Sequence, residues 1–227
     1  MVRLQVQGIH YGFGRQKVLN GVDLQAAEGE CVALFGDNGA GKSTLLSILA
    51  TRYKPHKGAY LLNGTDVLKQ GEYARENLIF IGHHTHLYGH LSPMENLRFS
   101  ADLRGLRPSD KALRKIIDEV GLGRFAHRPA KGFSAGMRKR LALGRALLFH
   151  PALLLLDEPY SALDSKGVAW LNRLLASYLE HGGTLILASH DPERVAALPN
   201  RAVRMTGGKL IAESKHADDP VEETQPC

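Results

Sequence analysis

The eight residues Gly36-Asp37-Asn38-Gly39-Ala40-Gly41-Lys42-Ser43 fit the pattern GxxxxGK[ST]. They lie between Glu30 to Phe35, a run apolar enough to read as a buried strand, and a stretch at about 42–51 with Leu45, Leu46 and Leu49 along one helical side. Strand, glycine loop and helix are the context that this pattern requires. Glycines let backbone N–H groups turn inward around an anion, the helix N-terminus adds positive potential, and the Lys42 ammonium reaches the β- and γ-phosphates of a nucleotide. Ser43 is placed to hold Mg²⁺. The candidate phosphate-binding residues are therefore Gly36, Asn38, Gly39, Ala40, Gly41, Lys42, Ser43 and Thr44.

A carboxylate must hold or orient that metal, and the apolar run Leu153 to Leu156 ends in one, Asp157, followed at once by Glu158. In a hydrolase built this way Asp157 acts on the Mg²⁺ shell, while Glu158 beside the γ-phosphate positions or deprotonates the attacking water. Around these two segments the chain alternates strands and helices. Strand patterns occur at Val2–Val6, Ala59–Leu62, Leu78–Ile81 and Thr184–Ala188, and Val203 and Leu210 flank a Gly207-Gly208 turn that reads as a hairpin. Ser109 caps a helix carrying Leu113, Ile116, Ile117 and Val120 and stopped by Gly121, a second helix begins near Ser134, and a third surrounds Trp170 to Tyr178.

The 227 residues are 44% apolar and 23% charged, ordinary globular values, and nothing approaches the ~18 consecutive apolar residues of a membrane span. Two cysteines without a CxxC pair argue against a disulfide framework or zinc ribbon and suit a reducing compartment. The net charge of +6 is uneven: residues 98–145 carry 13 Lys/Arg against 4 Asp/Glu, and residues 213–227 carry 1 against 5. A basic block of that kind faces nucleic acid, anionic phospholipid or a nucleotide, or forms solvated helix faces. The acidic tail, with two prolines and almost no apolar residues, reads as disordered.

No guanine-reading NKxD occurs, but Phe133-Ser134-Ala135-Gly136-Met137 precedes Asp157-Glu158-Pro159, Ser161-Ala162-Leu163-Asp164 and Ser189-His190-Asp191. From about Tyr11 to Leu210 the sequence thus resembles the ATP-binding-cassette ATPases. That resemblance implies an α/β P-loop NTPase fold over residues 1–212: a mixed sheet core, an N-terminal antiparallel β subdomain and a helical subdomain inserted at about 98–150. It implies that Ser134, Ala135 and Gly136 face the ATP of a second copy in a head-to-tail homodimer, with Asp164 at the dimer interface. His190 would contact the γ-phosphate, and Tyr11 would stack on adenine. The family's usual LSGGQ is altered at Phe133, Ala135 and Met137, and an Ala135 forced to positive φ would cost around 1 kcal/mol relative to Gly. His83 stands where the family has the glutamine that contacts metal-bound water; a neutral imidazole can accept the same hydrogen bond. ATP and Mg²⁺ are the implied cofactors, and a separate integral membrane transporter subunit is the implied partner, on the cytoplasmic face of the membrane, with no nucleic acid. Tyr88, Leu91 and Met94 lie where the family receives that partner. Ile81-Gly82-His83 and Leu91 to Leu97 look like the haem-exporter ATPase of cytochrome c maturation, whereas Phe133 to Met137 looks equally like drug and ion exporters; a soluble cassette ATPase of iron–sulfur assembly is the non-transport alternative.

Overall fold

The computed structural model of the chain describes residues 1–82, 84–195, 197–198 and 201–212. The expectations for His83 and for residues 213–227 fall outside them. The strands are β1 Val2–Phe13, β2 Gln16–Ala27, β3 Cys31–Phe35, β4 Lys57–Leu62, β5 Thr65–Asp66, β6 Leu78–Ile81, β7 Leu153–Asp157, β8 Thr184–Ala188, β9 Arg201–Thr206 and β10 Lys209–Ala212. The helices are α1 Lys42–Leu49, α2 Gly71–Asn77, α3 Pro93–Asp102, α4 Asp110–Glu119, α5 Ala135–Phe149, α6 Ser165–Glu180 and α7 Pro192–Val195.

Six strands form one sheet in the order β10-β9-β3-β8-β7-β6, parallel throughout except for the β9–β10 hairpin at its edge. Its central strands are apolar without interruption because both faces are covered. Successive side chains point to opposite faces: Val32, Leu34, Leu153, Leu155 and Ile186 enter a core shared with α1, while Ala33, Phe35, Leu154, Leu156, Leu185 and Leu187 enter a second core against α5 and α6. Each fully buried leucine contributes about 1.5–3 kcal/mol before its lost entropy is counted. The antiparallel sheet, ordered β2-β1-β4-β5, closes the first core from the other side through Leu4, Val6, Ile9, Tyr60 and Leu62. The mixed sheet, the N-terminal antiparallel sheet and the helical insertion are thus all present.

A third core, made of Met94, Leu97, Leu113, Ile117, Val120, Phe133 and Leu141, joins α3, α4 and the start of α5. The helix α3 was not expected from periodicity, and it starts at Pro93, ahead of residue 98. Its start carries a capping box: the Ser92 amide and hydroxyl donate to Glu95 Oε2 at 2.8 and 2.6 Å, and the Glu95 amide donates back to Ser92 Oγ at 3.4 Å. Ser92 is 4% exposed, so water cannot replace its hydroxyl. Ser92→Ala is expected to cost about 1–2 kcal/mol, lowering the melting temperature by roughly 2–8 °C in a chain of this size. A thermal melt that does not move would show that the cap is dispensable.

Candidate active site

The phosphate loop leaves the sheet at the end of β3 and enters α1. Gly36 sits at φ +141°, where a Cβ would lie 2.5 Å from the Met205 carbonyl oxygen, so only glycine passes β9 here. Gly41 is the N-cap of α1 at φ +111° and supplies no side-chain cap, which leaves the first amides of the helix open to an anion. Lys42 is 7% exposed, and its Nζ donates to the carbonyls of Gly36 at 2.5 Å and Asp37 at 3.1 Å. A cavity of about 170 Å³ is lined by Asn38, Gly39, Gly41, Lys42, Ser43, Thr44, Asp157 and Glu158. Gly36 and Ala40 shape the loop from beneath, Ala40 packing on the first core. Larger clefts of about 580 and 640 Å³, beside α6 and beside α3, contain neither the glycine loop nor Asp157 and Glu158.

The carboxylates reach this cavity because β7 lies two strands from β3, with β8 between them. Asp157, 5% exposed, is the last residue of β7 and pairs with Ala188. Glu158 then turns sharply at φ +49°, a conformation that costs a side-chain-bearing residue about 1–2 kcal/mol. Its amide donates to the Ala188 carbonyl at 3.0 Å, which holds the turn against β8. His190, just past β8, brings Nδ1 to 2.9 Å from Glu158 Oε2, with the carboxylate 14% and the imidazole 67% exposed. Two residues singled out separately in the sequence are therefore in polar contact.

Among the described residues no three His, Cys, Asp or Glu side chains are gathered to hold a metal. The Ser43 hydroxyl and the Asp157 carboxylate line the same cavity. Two hard oxygen donors suit Mg²⁺, which keeps waters and takes its remaining ligands from nucleotide phosphates, so the residues fit that ion when a nucleotide accompanies it.

Ser134, Ala135, Gly136 and Asp164 do not line this cavity. Ser134 and Asp164 are N-caps, Ser134 Oγ accepting from the Met137 amide at 3.2 Å and Asp164 Oδ1 from the Gly167 amide at 2.8 Å. Ser134, Ala135 and Asp164 are exposed. Ala135 opens α5 and is not among the positive-φ residues, so its Cβ carries no strain, contrary to the cost considered from sequence. Phe133 and Met137, which depart from the family pattern, both pack against the third core. Tyr11 is half-buried within an aromatic cluster, stacked on Tyr53 at 5.5 Å and close to His56 and Phe13. Phe13 lies two residues from Tyr11 on β1, but nothing local in the sequence ties Tyr53 and His56 to Tyr11.

The basic block is only partly a surface. Arg145 donates to the Thr85 and His86 carbonyls, Arg140 lies 4.1 Å over Trp170, Arg104 lies 4.1 Å over Phe149, and Lys139 turns inward at 7% exposure. Of the three candidate partner contacts, Met94 is buried in the third core, Leu91 is partly buried and Tyr88 is 50% exposed against Phe99. Periodicity alone could not separate them.

A family model described as "ABC transporter" matches residues 19–161. The chain is 40% identical over 195 residues to the cytochrome c biogenesis ATP-binding export protein CcmA of Rhodopseudomonas palustris strain HaA2, covering 84% of this chain and 93% of that protein. It is 37% identical over 217 residues to the sulfate/thiosulfate import ATP-binding protein CysA of Rhodopseudomonas palustris strain CGA009, covering 91% of this chain but only 61% of that longer relative. Relatives of 35% and 36% identity bear the names lipoprotein-releasing system ATP-binding protein and macrolide export ATP-binding/permease protein. A solved structure titled as an ATP-binding subunit of an ABC transporter superposes with a TM-score of 0.85 at 28% identity, covering 92% of this chain and 88% of that one.

Proposed function

This chain belongs to the ABC transporter family of ATP-hydrolysing proteins, and from that membership we propose that it is the nucleotide-binding subunit of an exporter whose membrane-spanning part is a separate protein. The observation that carries this reading is the meeting of Lys42, Ser43, Thr44, Asp157 and Glu158 around one small cavity. Among the described residues no helix is long and apolar enough to cross a membrane; in this reading the subunit is peripheral, held at the cytoplasmic face by its partner. Haem export for cytochrome c maturation is the substrate reading, supported by 40% identity across 93% of the relative named for cytochrome c biogenesis.

The roles divide among the residues as follows. The phosphate loop, the open N-terminus of α1 and Lys42 bind the triphosphate. Ser43 and Asp157 would hold Mg²⁺, which neutralises phosphate charge when bound. Glu158 orients and deprotonates the attacking water, and His190 steadies its carboxylate through the 2.9 Å contact. Ser134, Ala135 and Gly136, outside the chain's own cavity and with Ser134 and Ala135 exposed, serve nucleotide on a second copy, with Asp164 at the shared interface. His83 supplies the contact to metal-bound water that glutamine supplies in relatives, and Tyr11 stacks on adenine.

Purifying the tagged chain from detergent-solubilised membranes tests the assignment. An integral membrane protein is expected to copurify, and the pair in vesicles is expected to move haem only with ATP. Copurification with a soluble iron–sulfur scaffold instead would move the protein to the non-transport class, and an active pair that ignores haem would remove the substrate reading alone.

A further inference from the structure

Lys139 is a buried cation that no step so far uses. It lies on α5, which starts at the exposed Ser134 and packs into the helical core through Leu141 and into the sheet core through Ala142, Leu143 and Ala146. Its ammonium donates to the Glu158 carbonyl at 2.6 Å and to Ser161 Oγ at 2.7 Å, with the Ser161 carbonyl at 3.5 Å. The three N–H groups of an ammonium are thereby directed at one turn. None of its hydrogen-bond acceptors is a carboxylate. Keeping a charge 7% exposed on neutral oxygens is costly, and a hydrophobic residue would fill the same space if packing were all that was required.

The turn it holds is the left-handed one at Glu158. Ser161 Oγ also donates to the Glu158 carbonyl, at 2.9 Å, so that oxygen collects two side-chain donors. One helical turn before Lys139, a Cβ on Gly136 would come within 3.2 Å of the Ala162 carbonyl. The start of α5 and the segment from Glu158 to Ala162 are thus in contact at two levels.

We propose that Lys139 is a positioning residue for ATP hydrolysis: its ammonium clamps the backbone of Glu158 and ties the aim of that carboxylate to the position of α5. The assignment rests on reading Glu158 as the group that takes the proton from water. It explains why this lysine of the basic block points at the Glu158 turn. Burial pulls its pKa down to about 8, against the opposing pull of Glu158 and Asp157. The charged groups around the turn are Asp157 at the end of β7, Glu158 just past it, His190 against Glu158, and Arg194 of α7, which donates to the Tyr160 carbonyl at 3.1 Å. Because the cation is lost as pH rises through its pKa, the clamp weakens on the alkaline side.

The test compares Lys139→Met and Lys139→Gln with the unaltered protein, measuring kcat, KM for ATP and the pH profile. Lys139→Met is expected to lower kcat by about 10²-fold, the effect of a small misplacement of a reacting group, with KM changed less than about threefold. Lys139→Gln keeps two N–H donors but no charge, so it should recover about tenfold of that loss and stay about tenfold below the unaltered protein, and its activity should no longer fall on the alkaline side near pH 8. If Lys139→Met does not fold, Lys139→Gln carries the test through its kcat and its flattened profile. An unchanged kcat in either variant, or an alkaline limb that persists in Lys139→Gln, overturns the clamp. Glu158→Gln, run in parallel, separates the two ideas: turnover surviving there defeats the reading of Glu158 and the clamp with it, whereas turnover lost there but kept in Lys139→Met defeats the clamp alone.

Discussion

Glu158→Gln is expected to stop ATP turnover while leaving ATP binding intact. The amide keeps the shape of the carboxylate and its polar neighbour, His190 Nδ1, which lies 2.9 Å from Glu158 Oε2. What it cannot do is take a proton from water. General-base catalysis contributes about 10²–10⁴-fold, so kcat should fall by that factor, with the Kd for ATP unchanged within about threefold. With hydrolysis blocked, the variant should accumulate as an ATP-bound dimer in size-exclusion chromatography. Near-normal turnover would remove Glu158 from the mechanism, and a monomer in saturating ATP would count against the head-to-tail pair.

Lys42→Ala is expected to fail one step earlier, at binding. The ammonium is buried and tied to the carbonyls of Gly36 and Asp37, so alanine removes both a phosphate-facing charge and two bonds that shape the loop. Hydrogen bonds to a charged group are worth about 1.5–3 kcal/mol each, which predicts ATP affinity lower by about 10–100-fold. Titration calorimetry with ATP measures it directly, with the melting temperature as a control on folding. Unchanged affinity in a folded Lys42→Ala protein would mean that the loop does not hold the triphosphate.

Several elements were legible because their signals are local. The β3–loop–α1 unit needs glycines and a lysine within eight residues, and β7 and β8 are apolar without a break because both faces are covered. Ser109 and Ser134 cap α4 and α5 as read from sequence. Other elements were hidden for physical reasons. The strand β2 pairs with β1 through repeated register shifts and turns at Gly21, φ +75°, so its alternation reads true only over short stretches. The helix α2 begins with glycine and buries only Ala74, which leaves no apolar stripe to detect. The capping box at Ser92 and Glu95 did carry a readable signal for α3.

The sequence by itself determined the chemistry available: a phosphate-cradling loop, a lysine, a hydroxyl and two adjacent acids on buried strands, whose spacing along the chain is enough to identify them. Only the tertiary structure decided which of these groups meet. Glu158 and His190 lie 32 positions apart, and they touch because β7 and β8 are neighbours in the sheet. Lys139 and Glu158 lie 19 apart, and they touch because α5 packs across the end of β7 with the Lys139 side chain turned toward it. Helix and strand periods are set by backbone geometry and repeat every few residues. Strand order and the inward or outward sense of a single lysine are set by the packing of distant segments, for which the local pattern holds no record.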